Sequence, residues 1–159
     1  MPGTSSTRNA WMAFALALSL GLSGSCAFAR DYLPHAPATA GRSYSPGVVT
    51  TGGKIVWLAG VTTLVDEQGR SLAGDFEGQT RYIFREIERQ LAQAGGTLAD
   101  VVKMTVFLTD PRNGGTLTKV RSEVFPKNPP ASSQITISQL AVPGFLIEVE
   151  CTAVVGDAR

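Results

Sequence analysis

The sequence predicts an α+β fold in which one mixed β-sheet carries two helices on a single face. Two patterns lead there. Apolar residues alternate along several short runs, and between Asp75 and Ala94 they recur instead at three- and four-residue steps. The elements so marked follow the order strand, strand, helix, strand, helix, strand, strand, which lets both helices cover the same side of one sheet.

With 159 residues and an apolar fraction of 43%, the chain has the length and composition for one domain with its own core. The net charge of +1 is spread along the chain, so no stripe for nucleic acid is expected.

The first thirty residues stand apart. Arg8 precedes the apolar run from Trp11 to Leu20, and small residues lead on to Ala27-Phe28-Ala29. This order predicts a secretory signal peptide over 1–29 cleaved after Ala29, and hence a periplasmic or secreted protein. The apolar run falls short of the roughly 20 residues that span a bilayer, so no stable membrane insertion is expected after cleavage. A competing reading makes Cys26 a lipid-attachment site, although Ser23-Gly24-Ser25 is a poor lipobox. Removal of Cys26 would leave Cys151 alone, without a disulfide partner and with no histidine close in sequence to activate it. Cys151 is then a small buried apolar residue.

Residues 30–42 hold Pro34, Pro37 and several alanines, and read as an exposed linker into a domain over 43–156. His35, the sole histidine, lies there and is expected to be solvated. No second histidine or cysteine stands at metal-ligand spacing, so no metal site is predicted.

Within the domain, Tyr44 to Thr51 and Lys54 to Gly60 are β-rich, and Gly52-Gly53 between them predicts a tight hairpin. Ile55 to Ala59 is apolar on both faces, the pattern of a strand covered on each side. From Asp75 to Ala94, Phe76, Thr80, Ile83, Ile87, Leu91 and Ala94 form one helical stripe. Asp75 can cap that helix and Gly95-Gly96 can end it. Val101 to Thr109 alternates as a strand, with Val102, Met104, Val106 and Leu108 on one side. Leu117, Val120 and Val124 share a face of a shorter helix from about Thr116 to Phe125, which Pro126 stops. Ser132 to Gln139 and Phe145 to Val155 supply the last strands, with a turn at Val142-Pro143-Gly144. The sheet face without helices would stay bare, which predicts a homo-oligomer.

Several runs in this frame carry a resemblance. They are Tyr44-Ser45-Pro46-Gly47, Val56-Trp57-Leu58-Ala59-Gly60, Gly74-Asp75-Phe76 with Gln79-Thr80, Asp100 to Leu108, and Ile147-Glu148-Val149-Glu150. Together they resemble the RidA/YjgF family of reactive-intermediate deaminases over essentially the whole domain. The resemblance implies a chorismate-mutase-like fold, a homotrimer whose sheets form a central barrel, and small-molecule sites in the clefts between subunits. It implies no cofactor. Active members hydrolyse 2-imino and 2-enamino acids to a 2-oxo acid and ammonia.

In that family an arginine holds the substrate carboxylate through a bidentate pair, and a glutamate handles water or a proton. The glutamate's place falls on Glu148, the catalytic residue expected here. A substrate-lining tyrosine falls on Tyr44, and an asparagine of the second helix on Thr118. The arginine's Pro-Ala-Arg-Ser context reads Pro130-Ala131-Ser132-Ser133, so its place is taken by Ser132. Each charge-assisted hydrogen bond lost there is worth roughly 1.5–3 kcal/mol, and a serine cannot neutralise a carboxylate. Free imino acids are therefore expected to bind weakly. Arg42, Arg112 and Arg121 could substitute, but the sequence brings none of them to the cleft.

Bland readings stand beside these. Glu148 and Glu150, two apart on a strand and roughly 7 Å from each other, form either a crowded pair usable in acid–base work or a solvated polar face. Tyr44 is either a site residue or a packing residue at a strand start. Ser132 and Ser133 lack a histidine base and read as small cleft-lining residues rather than nucleophiles. Two functions follow: an imine or enamine hydrolase of altered specificity, or a trimer that binds a small ligand without turnover.

Overall fold

The structure, a computed structural model, describes residues 28–156. The expected leader, including Cys26, therefore lies almost wholly outside the described residues. The described residues hold six strands and two α-helices, besides short 3-10 turns: β1 (Ala29–Tyr32), β2 (Val48–Thr51), β3 (Lys54–Val61), α1 (Phe76–Gln93), β4 (Val101–Leu108), α2 (Gly114–Val124), β5 (Ala131–Thr136) and β6 (Ile147–Val155). The main sheet runs in the order β3-β6-β4-β5, with β4 and β5 parallel and the other pairs antiparallel. This is the mixed sheet with two helices that the element order predicts.

Helix α1 forms where the stripe placed it. The Asp75 carboxylate accepts from the Gly78 amide at 2.9 Å. At the other end Gly95, with φ at 79°, lets the Gly96 and Gly95 amides donate back to Leu91 and Ala92. Ile83, Ile87 and Leu91 of α1 and Leu117 and Val120 of α2 are fully buried against Met104, Val106, Leu108, Ile147, Val149 and Ala153 of the sheet. Phe84 and Phe125 meet edge to face at 5.6 Å where the two helices adjoin.

Four expectations need correction. Gly52 and Gly53 both adopt positive φ, but β2 does not continue into a hairpin with β3; it pairs antiparallel with β1 in a separate two-stranded sheet. The residues read as a linker are in part built into the fold. Arg30, next to the expected cleavage point, pairs with Asp100 at 2.6 Å and lies over the Phe28 ring at 4.8 Å. Val102 does not face the core: the β4–β6 register shifts between Val101 and Lys103, and that bulge buries Val101 instead. Strand β3 is not covered on both sides in the single chain. It is an edge strand, and Ile55 and Trp57 are 54% and 77% exposed.

The register fixes two faces. Leu58, Cys151, Met104 and Ser132 lie in one row across β3, β6, β4 and β5, on the helix side. Glu148, Phe107 and Ile135 lie in a row on the bare side, as do Trp57, Thr152 and Lys103.

Candidate functional site

Tyr44, Thr118 and Ser132, chosen from three distant parts of the sequence, line a single cleft of about 330 Å³ together with Gly41, Arg42, Ser43, Arg121 and Gln134. Local structure explains the convergence. Pro130 ends the extended connection into β5, and its carbonyl accepts from the Ser45 amide at 3.0 Å. The Ser45 hydroxyl bonds the Pro129 carbonyl, and Ser45 bridges Ala131 in parallel. Tyr44 is thereby pinned beside the start of β5, next to Ser132. Thr118 and Arg121 stand three apart on α2 and so share the side that faces this edge.

Arg121 is the residue that sequence reasoning left unplaced. It is only 5% exposed. Its Nε and Nη2 donate to the Ser43 hydroxyl at 3.0 and 2.9 Å, and Nη1 donates to the Ser132 hydroxyl at 3.0 Å. Among the described residues no carboxylate pairs with it. Burial pulls its pKa below the usual guanidinium value, with the neighbouring Tyr44 acting the other way. An arginine retains its charge through such a shift. A signal for this burial exists in the sequence: Leu117, Arg121 and Phe125 are spaced four apart, so Arg121 lies on the same helical line as two core residues.

The other arginines divide. Arg42 lines the cleft at its exposed rim. Arg112 is held by Asp110 at 2.5 Å in the turn before α2 and does not reach the cleft.

Glu148 is not among the cleft residues. It projects from the bare face of β6, half-buried, and its carboxylate lies over Gly60 so closely that a Cβ at that position would overlap it. Glu150, on the same face, is exposed. The pair is thus unequal, with only Glu148 held against backbone. Ser133 also points to the bare face, where Lys103 Nζ donates to its hydroxyl at 2.7 Å. His35, expected to be solvated, is half-buried instead. Its ring packs edge-on to Tyr44 at 5.4 Å, and its Nδ1 lies 3.2 Å from the Thr39 hydroxyl. Cys151 is buried in the sheet, and burial raises its thiol pKa to about 12, which agrees with a packing role.

Comparisons with known proteins point one way. A family model described as Endoribonuclease L-PSP matches residues 34–155. A RutC family protein of Pyrococcus abyssi is 35% identical over 101 residues, spanning 64% of this chain and 79% of the relative. A Rid family protein of unknown function from Yersinia pestis superposes with a TM-score of 0.69 at 25% identity, covering 79% of this chain and 98% of the other. RidA of an Antarctic Psychrobacter superposes with a TM-score of 0.59 at 29% identity, over 77% and 93% of the two chains.

Proposed function

The chain belongs to the RidA/YjgF family, whose members are imine and enamine deaminases, and from that premise we propose that it is an exported homotrimer that takes a small molecule in clefts between its subunits and hydrolyses an imine or enamine there. One observation supports the shared site above all. Ser132 and the rest of the cleft lie at the β5 edge on the helix side of the sheet, whereas Glu148 lies on the bare side. No rotamer carries a glutamate through its own sheet. A second copy that abuts the β5 edge would bring its Glu148 to the first copy's cleft, and the exposed Trp57 and Ile135 are apolar surface for such an assembly to bury.

In this arrangement the imine enters in its protonated form; Glu148 accepts a proton from water as the oxygen bonds to the imine carbon, and the C=N π pair moves to nitrogen as its lone pair, giving a carbinolamine. Glu148 then returns its proton to that nitrogen. As the C–N bond breaks, the hydroxyl proton passes to Glu148 and on to the departing ammonia, which leaves as ammonium, and a carbonyl remains. Gly60 matters because, lacking a Cβ, it leaves room for the carboxylate to lie over the backbone.

Ammonia release from imines generated in situ, measured on the mature protein with its mass determined by light scattering, tests the proposal. The expected result is a trimer that releases ammonia, with the rate reduced about 100-fold or more in Glu148→Gln. A trimer that binds 2-oxo acids yet releases no ammonia would establish the non-catalytic binding reading instead.

A further inference from the structure

We propose that Arg121 is the anchor of a carboxylate subsite, so that the positive charge absent at position 132 is supplied from helix α2; the inference rests on reading the cleft as the ligand site. Arg121 carries five N–H donors in a planar fork, and three of them are taken up by Ser43 and Ser132. Two remain available in a concave site of about 330 Å³, at the small end of ligand pockets. Both serine hydroxyls are neutral, so they orient the guanidinium without cancelling its charge. Arg42 at the rim adds a second cation, and among the described residues no acidic side chain lines the cleft. A buried, uncompensated charge is unfavourable unless something completes it. Here the missing component is an anion of the ligand.

The remaining geometry favours a carboxylate. A planar guanidinium matches it through two parallel bonds, and Tyr44, Thr118 and Gln134 offer neutral donors and acceptors for the rest of a small molecule. Ser132 thus becomes a positioning residue: its hydroxyl accepts from Nη1 and orients the guanidinium in the cleft. The ligand class that follows is a small carboxylic acid. Weak binding of free imino acids, expected from Ser132 alone, is replaced by binding through Arg121.

Titration calorimetry with sodium 2-oxobutyrate, 2-oxobutyramide and sodium phosphate tests this on the mature native protein and on Arg121→Met, Arg121→Lys, Ser132→Ala and Arg112→Met. The expected pattern is binding of 2-oxobutyrate but not of its amide, weakened at least about 10-fold in Arg121→Met and less in Arg121→Lys and Ser132→Ala. Arg112→Met, outside the cleft, leaves it unchanged. Arg121→Lys keeps the test sound if the methionine variant fails to fold. Equal affinity for the amide, equal affinity in a folded Arg121→Met protein, or displacement of 2-oxobutyrate by phosphate at similar concentration would each overturn the carboxylate assignment. The two proposals fail separately. Carboxylate binding at Arg121 without ammonia release removes the hydrolase and leaves the subsite, whereas imine turnover with unchanged KM in Arg121→Met does the reverse.

Discussion

Arg121, Gly60 and Cys151 each illustrate how one side chain's surroundings set its use. Arg121 was visible in the sequence as an arginine four residues after Leu117 and four before Phe125, but only the packing of α2 against Ser43 and β5 turned that spacing into a guanidinium inside the cleft. Gly60 looks like an ordinary strand-end glycine until Glu148 is seen lying over it. Gly60→Ala should therefore displace the carboxylate, which can rotate away, while the fold tolerates the change. Thermal unfolding should report a loss below about 1 kcal/mol, and ammonia release should fall about 10-fold or more. For Cys151 the folded thiol pKa is raised from 9.0 to about 12. A raised folded pKa contributes stability below the unfolded value and loses it as pH climbs from about 9 towards 12. Native protein should weaken over that interval more than Cys151→Val does, and the folded thiol should react slowly with alkylating reagents at pH 8.

At the scale of elements, helix α1 was legible almost to the residue, because stripe, cap and terminating glycines agree. Its fully buried Gln79 gave no such signal. The Gln79 amide donates to the Leu72 and Gly144 carbonyls, both at 3.0 Å, and accepts from the Leu146 amide at 2.9 Å, fastening two loops to the helix. Gln79→Ala leaves these groups unpaired and should cost roughly 2–3 kcal/mol, read as a lower urea midpoint at unchanged slope. The hairpin at Gly52-Gly53 was misread for a physical reason. A two-glycine turn permits a reversal but does not choose the partner, and β2 has a competing neighbour in β1, which Arg30 ties to Asp100. The bulge at Val102 escaped notice because strict alternation is the only pattern a strand shows before its partner is known.

For the whole molecule, the single chain leaves one face of its sheet bare. Trp57 is 77% exposed on a face that also carries Glu148 and Ile135, and the apolar run of β3 reads as doubly covered although the helices cover only one side. That mismatch between sequence pattern and single-chain burial is what a second copy would resolve. Trp57→Asp should convert the proposed trimer to monomers, seen by light scattering, and abolish ammonia release without disturbing the helix-side core. The family, the sheet with its two helices and three of the cleft residues could be read from the sequence; the opposition of the two faces could not, since it depends on strand register across β6, β4 and β5.

In the proposed trimer Glu148 and the Arg121 cleft come from different copies, and mixing two crippled variants probes that arrangement. Glu148→Gln and Arg121→Met, each first assayed alone for its residual rate, are co-expressed and the mixed assemblies assayed for ammonia release. If the site is shared, about a quarter of the clefts combine an intact Glu148 with an intact Arg121, and activity returns to that level. Assemblies that contain both variants yet release ammonia no faster than either parent would rule out a site shared between copies.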